Sequence, residues 1–214
     1  MGEVTDTTAK LAAGEISDEE ARRRYERFVD ECELAVPEEV GELFEAYTRL
    51  IWQYKEVGRI YDFYSDVTTC YGENGRVSMG ADGVVAGTLS FMRSFPDRKC
   101  VFVDIFAEGD QERGYHFGQT TRFHASNTGI TKYGAPTGKP LEPEGESCYS
   151  ICECEVRKVE GRWRIVNEWV VESADAIDEA TRPDVPCAEP ADGDACPCRD
   201  CDVEPSGDES EAQD

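Results

Sequence analysis

The chain has 214 residues, with 46 acidic against 22 basic side chains and a formal net charge of −24. This length suits one domain with tails, and a hydrophobic content of 39% can fill one core. The negative charge would repel phosphate backbones and anionic lipid headgroups, so we expect neither nucleic acid nor membranes as partners. No apolar run reaches the roughly 20 residues of a bilayer span, and residues 1–15 lack the apolar stretch of a secretory signal. A cytoplasmic protein is expected, with its ten cysteines kept as thiols.

The first part of the chain predicts helices. Ser17 and the acidic residues after it can cap a helix that runs to about Leu34. Pro37 suits the first turn of a second helix, because its missing N–H is not needed there. This second helix has a broad apolar stripe made for a core, formed by Val40, Leu43, Phe44, Tyr47, Leu50, Ile51 and Tyr54. We expect a flexible N-terminus over residues 1–16, one domain over 17–180 and an acidic, cysteine-containing disordered tail over 181–214.

The second part predicts strands. Asn74-Gly75 favours a two-residue hairpin turn, and a further helix, "GVVAGTLSFMRSF", ends at Pro96. Strand-like runs then follow, the last two joined at Glu160-Gly161: "KCVFVDIF", "GYHFGQTTRFHAS", "SCYSICECEVRKV" and "RWRIVNEWVVES". This order favours an α+β fold, in which a curved antiparallel sheet wraps around the N-terminal helices and forms a cone with a pocket.

The stretch "KYGAPTGKPL", from Lys132 to Leu141, raises the question of a phosphate-binding loop. Such a loop needs Gly-x-x-x-x-Gly-Lys-Ser/Thr between a strand and a helix, so that backbone N–H groups face the anion. Here Gly134 and Gly138 are one residue too close, Pro140 stands in place of the hydroxyl residue, and no helix follows. The stretch instead predicts a turn-rich connection between two strands.

The same stretch carries a family resemblance. "NTGITKYGAPTGKPL" followed by "CECEVRKVEGRWRIVNEWVV" resembles the SnoaL-like polyketide cyclases and ester cyclases of the nuclear-transport-factor-2-like superfamily. "FYSDV" near Tyr64 and "SFPD" at Ser94 fit as well, so that the resemblance spans roughly Phe44 to Ser173. It implies the cone-shaped fold, a homodimer paired through the convex side of the sheet, and cyclisation, isomerisation, dehydration or hydrolysis without a cofactor or metal.

The resemblance also implies two reactive positions, and this sequence departs from both. The family's general acid/base lies four residues after the final-strand tryptophan, which is Trp169 here, and that position is Ser173. The family's strand histidine falls on Asn127, which can donate a hydrogen bond to a carbonyl but cannot exchange a proton near neutral pH. Because Trp169 is expected to form a pocket wall, Glu172 would lie on the opposite face of a regular strand unless a bulge turned it inward.

Strand alternation predicts the other pocket residues. If Asn127 faces the pocket, then Phe123, Thr121, Gln119 and Phe117 face it too, while His116 and His124 lie on the convex side. Asp104 shares a face with Cys100 and Phe102 and is the reserve candidate for a base, although it could equally be an exposed aspartate at the edge of the sheet. Tyr64 and Asp66 are candidates at the rim.

The cysteines form two groups. Cys148, Cys152 and Cys154 alternate onto one face of a strand; since such side chains point in parallel, they need another element to complete a zinc tetrahedron, and buried thiols are the favoured interpretation. The tail carries Cys187, Cys196, Cys198 and Cys201, whose spacing is compatible with a soft metal or reversible disulfides.

Three hypotheses for function follow. The first is a small-molecule pocket protein that acts without a cofactor on a carbonyl-containing or polycyclic substrate, using Asp104, Glu172 or Ser173 for chemistry. The second is a binding or accessory module that has lost the family's acid/base residue. The third makes the cysteine-containing tail the metal- or redox-active element of a dimeric carrier.

Overall fold

The computed structural model describes residues 2–72, 75–142 and 148–184. The chain divides into two units, Met1–Arg182 and Pro183–Asp214, and the helices and strands of the described residues all belong to the first. The helices are α1 (Glu3–Ala12), α2 (Asp18–Glu31), α3 (Pro37–Trp52), α4 (Ile60–Phe63), α5 (Gly80–Ser94) and α6 (Ala174–Thr181), and a 3₁₀ turn at Val57–Arg59 precedes α4. The strands are β1 (Thr69–Tyr71), β2 (Val77–Met79), β3 (Lys99–Asp110), β4 (Gly114–His124), β5 (Cys148–Val159) and β6 (Arg162–Glu172). The tail cysteines lie outside the described residues.

The N-terminal helices form as the sequence predicts, with one addition. The Ser17 side chain caps α2 by accepting a hydrogen bond from the Glu20 N–H at 3.2 Å, and Pro37 occupies the first turn of α3. Residues 1–16 differ from the expected flexible N-terminus, because residues 3–12 form α1, which buries Val4 and Thr7. Only two side chains of this helix are fully buried, and two positions are too few to show an apolar periodicity in the sequence.

The sheet has six strands in the order β2-β1-β6-β5-β4-β3. The long strands β3 to β6 form the expected antiparallel meander, and Glu160 and Gly161, both with positive φ, make the tight turn between β5 and β6. The fold is α+β as predicted, but the sheet is mixed rather than antiparallel throughout, since β1 runs parallel to β6. This pairing places Cys70 directly opposite Glu168.

Two irregularities set which residues of the sheet point toward the helices. In β3 the register with β4 shifts between Phe102 and Asp104, and in the β5–β6 pair it shifts next to Val156. An extra residue on one strand reverses the facing of every residue beyond it. Beyond the shift in β6, Glu168 pairs with Cys154 on the concave face, whereas Asp104 pairs with Thr120 on the convex face.

The core lies between the helices and the concave face. Phe44 of α3 stacks on Phe117 of β4 with ring centroids 4.0 Å apart. A second apolar cluster extends the core to the end of the sheet where α6 lies, and its buried members are Phe95, Cys100, Phe123, Ala125, Leu141, Cys148 and Ala180. The concave face is therefore covered at both ends by side chains from helices.

The connection from β4 to β5 contains the stretch "KYGAPTGKPL". Its backbone is tied to the segment after β4: Gly138 N–H donates to Asn127 O at 2.9 Å, and Leu141 N–H donates to Ala125 O at 2.8 Å. Both N–H groups therefore donate within the protein. A phosphate-binding loop would need such groups free to face the anion, so the stretch is a connection between strands. Gly129 sits against the end of α5, where its N–H donates to Ser94 O at 3.2 Å.

Among the described residues, no helix combines the length and apolar character needed to cross a membrane.

Gly129→Ala should destabilise the protein, because a Cβ at residue 129 would lie 1.7 Å from the backbone oxygen of Arg93. Overpacking against a backbone atom typically costs about 1–3 kcal/mol or more. Chemical unfolding measures the change. The matched control is Gly87→Ala inside α5, whose Cβ meets nothing within 4 Å, and which should be neutral or stabilising by up to about 1 kcal/mol. Equal effects of both substitutions would contradict the close approach at Gly129.

Candidate functional site

A cavity of about 860 Å³ lies between the concave face of the sheet and helices α3 and α5. Its helical wall includes Phe44, Tyr47, Thr48, Ile51, Trp52, Thr88 and Phe91, and its sheet wall includes Phe117, Gln119, Thr121, Ser150, Cys152, Cys154, Glu168 and Val170. The lining combines aromatic rings with many polar and charged side chains, among them Glu172, Asp175 and Asp178, and the volume lies in the range of small-molecule pockets.

Glu168 provides the carboxylate at the centre of one end of this cavity. Its Oε1 accepts hydrogen bonds from Tyr64 Oη at 3.0 Å and from Cys152 Sγ at 3.1 Å. Its Oε2 accepts a hydrogen bond from Cys70 Sγ at 3.0 Å. Donors from a loop and two strands thus hold the carboxylate in one orientation, and it still lines the cavity.

The groups around Glu168 are held in their protonated forms. Burial, followed by the charge of Glu168, raises the pKa of the Tyr64 phenol and that of the Cys70 thiol far above their ordinary values. The hydrogen bond with Cys154, together with burial, raises the pKa of Cys152, and burial raises the pKa of Cys154 to about 11. At neutral pH these side chains are therefore hydrogen-bond donors rather than nucleophiles, since the thiolate is the reactive form of cysteine.

The same cluster contains the donor atoms best arranged for a metal ion among the described residues. One ligand atom each from Cys152, Cys154 and Glu168 lie within 4.8 Å of one another, and two thiolates with a carboxylate suit zinc. Cys152 and Cys154 come from one strand, and Glu168 supplies the second element that a convergent site needs. The same atoms are also joined by hydrogen bonds, with Cys152 Sγ 3.5 Å from Cys154 Sγ, so the cluster is complete as a set of protonated thiols around a carboxylate.

Arg98 lies on the cavity wall as well, in the turn between α5 and β3. Its guanidinium lies 3.7 Å from the Trp52 ring centroid and 3.4 Å from that of Phe123. Arg98 thus gives the cavity a cationic group that lies between the rings of Trp52 and Phe123.

Several solved structures of known proteins are similar to this one. The structure is similar to a candidate SnoaL-like polyketide cyclase from Jannaschia sp. CCS1, with a TM-score of 0.49 and 10% identity over 64% of this chain and 90% of that one. It is also similar to AclR, a candidate hydroxylase from Streptomyces galilaeus, with a TM-score of 0.48 and 22% identity over 65% and 80% of the two chains. A third similar structure is IdmH, a candidate polyketide cyclase from Streptomyces antibioticus, with a TM-score of 0.47 and 13% identity over 64% and 96%.

No family model matches the sequence, and no curated protein matches it. The structural likenesses assign no reaction to this chain.

The final strand corrects three of the expected positions. Trp169, expected as a pocket wall, lies on the convex face, 40% exposed, where it stacks on Tyr71. Ser173 is outside the cavity lining; its hydroxyl accepts a hydrogen bond from Tyr149 N–H at 3.0 Å. Glu172, expected to face away in a regular strand, lines the cavity together with Glu168. The face of β6 that points into the cavity is therefore the one with Glu168 and Glu172, and not the one with Trp169.

Two acidic candidates also lie outside the cavity lining. Asp104 is exposed on the convex face, because the register shift after Phe102 separates it from the inward-facing residues of β3. Asp66 is exposed near the end of α4. Neither carboxylate borders the main cavity, so both positions are wrong as pocket acids.

Asn127 is a structural residue rather than a pocket donor. It is fully buried, and its Nδ2 donates to Ser94 O at 2.9 Å and to Gly129 O at 3.1 Å. Its Oδ1 accepts a hydrogen bond from Thr137 N–H at 2.9 Å. The amide thus joins the end of α5 to the "GAPTGK" turn, and it is not among the residues that line the cavity.

The remaining candidates lie where alternation places them. Gln119 and Thr121 of β4 line the cavity, and so does Tyr64. Phe123 faces the same side, fully buried beneath Arg98. His116 and His124 lie on the other side of β4 and contact Glu153 and Glu142 respectively.

Sequence reasoning missed Glu168, Cys70 and Arg98. Glu168 comes directly before Trp169, which was expected to face inward. Because successive strand residues face opposite sides, Glu168 was expected to face outward. Cys70 depends on the parallel pairing of β1 with β6, which local patterns do not report. Arg98 lies in a turn, and the only signal for it was the "SFPD" segment just before it.

Asn127→His should destabilise the fold, although it restores the residue type expected at this position by resemblance. A neutral imidazole offers one donor and one acceptor, so it cannot serve two carbonyl oxygens and one N–H, and leaving a buried group unpaired costs about 1–3 kcal/mol. Chemical unfolding measures the change. Ser126→Ala, next to it and hydrogen-bonded through its backbone, should leave stability within about 0.5 kcal/mol. A stable Asn127→His variant would show that the amide does not hold this turn.

Proposed function

We propose that the protein is an acid–base catalyst that acts without a cofactor on a small carbonyl-containing or polycyclic molecule, with Glu168 as the group that moves the proton. The observation that supports this proposal most is the position of Glu168: a carboxylate oriented by Tyr64, Cys70 and Cys152 at the wall of an aromatic cavity. Such a group can accept a proton from a carbon next to a carbonyl.

The proposed step conserves atoms and electrons. Glu168 takes the proton, the C–H bond breaks, and its electron pair forms the C=C bond of an enolate while the carbonyl π pair moves to oxygen. Protonated Glu168 then returns the proton to the same carbon or to another one, which gives exchange or isomerisation. Cyclisation follows if the enolate carbon instead attacks a second carbonyl of the substrate: the C–C bond forms, the π pair of that carbonyl moves to its oxygen, and this oxygen takes the proton from Glu168.

Gln119 is the proposed donor to the carbonyl oxygen. Its side chain lines the cavity, and its Nε2 donates to Thr48 Oγ1 at 3.2 Å. A primary amide carries two N–H groups, so the second is available to a ligand. A donor at the oxygen where negative charge develops lowers the barrier to enolate formation.

Glu168→Gln should lower catalysed exchange by at least about 100-fold, the smaller end of the usual contribution of a general base. The assay follows deuterium uptake at C1 of 2-tetralone in D₂O by proton NMR, with buffer alone as the reference. Glutamine keeps the size of the side chain and its ability to accept hydrogen bonds but cannot take the proton. The control is Glu153→Gln on the exposed convex face, which should retain wild-type exchange.

Three outcomes would contradict this assignment. Unchanged exchange in Glu168→Gln would exclude Glu168 as the base, and loss of exchange in Glu172→Gln alone would assign the role to the other glutamate of the cavity. Loss of wild-type exchange on treatment with a chelator would indicate a metal held by the cysteine–glutamate cluster. Binding of 2-tetralone with no exchange above buffer would favour the binding or accessory module, a candidate supported by the absence of the family's acid at Ser173.

We also propose a homodimer paired through the convex face. Large apolar side chains are exposed together on this face, namely Val101, Val103, Phe106, Ile151, Trp169 and Val171. Large exposed apolar side chains from three strands on one face of a sheet are unusual on a monomer and typical of an interface.

Ile151→Glu should shift the protein from dimer to monomer, because it places a charge in the middle of the proposed interface. Light scattering after size-exclusion chromatography measures the molar mass. Leu89→Glu, at a residue of α5 that is 50% exposed, is the control and should leave the dimer intact. A wild-type protein with the mass of one chain at micromolar concentration would contradict the proposal.

A further inference from the structure

Arg98 is a buried cation with unpaired side-chain nitrogens among the residues that the structure describes. The residue is 4% exposed. Its Nε and Nη1 atoms are buried and have no hydrogen-bond partner among the described residues. A buried charge normally persists only when it is paired and hydrogen-bonded, since its desolvation is costly.

The second buried arginine shows what such pairing looks like in this fold. Arg49, 8% exposed, directs Nε and Nη2 to the same Glu45 oxygen at 3.0 and 2.8 Å. It also lies 4.7 Å from the ring centroid of Phe102. Arg49 therefore has both an aromatic contact and a carboxylate, whereas the contacts of the Arg98 guanidinium within the described part of the chain are with aromatic rings.

The surroundings of Arg98 are those of a recognition group. Trp52 and Phe123 lie on its faces, and the Phe91 ring centroid is 4.6 Å away. Aromatic rings on the faces of a guanidinium leave its edges for hydrogen bonds in the plane. Because Arg98 and both Trp52 and Phe91 border the cavity, a ligand there meets the cation and two of its aromatic neighbours together.

We propose that the cavity takes an aromatic or otherwise apolar carboxylic acid, and that Arg98 binds its carboxylate. A carboxylate along either edge of the guanidinium engages Nη2 together with Nε or Nη1, so that it pairs at least one of the two unpaired nitrogens. The apolar body of the ligand lies against Trp52 and Phe91. This inference specifies the substrate class of the proposed acid–base site, on which it rests: the substrate carries a carboxylate in addition to the group that reacts at Glu168.

The test compares two ligands of nearly equal shape, 2-naphthoate and the neutral 2-naphthamide, by isothermal titration calorimetry. Wild-type protein should bind the naphthoate at least about 10-fold more tightly, a difference equal to about 1.4 kcal/mol. Arg98→Met, which retains the apolar stem and removes the charge, should bind the two ligands equally, with the naphthamide affinity unchanged. Arg98→Lys should retain part of the preference, because it keeps the charge without the planar fork.

The control is Arg93→Gln, which removes an exposed cation on the cavity border. This variant should preserve the preference for the naphthoate over the naphthamide. Unfolding of each variant is measured alongside. Arg98→Met that folds and keeps the full naphthoate preference would overturn the inference, and so would wild-type protein without any preference. If Arg98→Met fails to fold, Arg98→Lys decides: a folded Arg98→Lys with a reduced naphthoate preference would support the inference, and one with the full wild-type preference would overturn it.

Failure here is distinguishable from failure of the acid–base proposal. 2-Tetralone has no carboxylate, so its exchange depends on Glu168 and not on Arg98. Exchange without a naphthoate preference would leave the acid–base site standing and remove the carboxylate from its substrate. A preference that depends on Arg98 in a protein without exchange would identify a carboxylic-acid-binding module.

Discussion

The facing of the sheet's side chains depends on two local register shifts, and the chemistry of the cavity depends on that facing. Successive residues of a strand point to opposite faces, so one extra residue exchanges the inner and outer sets beyond it. The shift after Phe102 turns Asp104 outward, and the shift in the β5–β6 pair turns Glu168 inward. Without these shifts, Asp104 of β3 would face the concave side, and Trp169 rather than Glu168 would face it in β6.

Once Glu168 faces inward, its neighbours follow from the order of strands. The parallel pairing of β1 with β6 brings Cys70 beside it, and the antiparallel pairing with β5 brings Cys152 and Cys154. Small buried thiols fit here because they pack as apolar groups and still donate weak hydrogen bonds. The carboxylate is thus satisfied by groups that remain protonated at neutral pH, and it borders an aromatic cavity that also holds Arg98.

The sequence predicts the elements of this fold better than the facing of its strands. Ser17, Pro37 and the Glu160-Gly161 turn have strong local signals, and each appears where expected. Gln119 and Thr121 face the cavity because β4 continues without a shift from Phe117 to Phe123. Asp104 and Trp169 were placed wrongly because each follows a shift that local alternation does not reveal. Asn127 was misjudged for another reason: resemblance implied a reactive position, and here a buried turn uses the whole amide.

The assignment of the inner face of β6 is tested most directly by a crystal structure with 2-naphthol, a planar analogue of the enol of 2-tetralone. We expect the ring inside the cavity, with the carbon that corresponds to C1 within about 3.5 Å of a Glu168 oxygen, the separation of a reactive pair. Naphthol bound outside the cavity, or a Glu168 side chain that points to the convex face, would contradict the assignment.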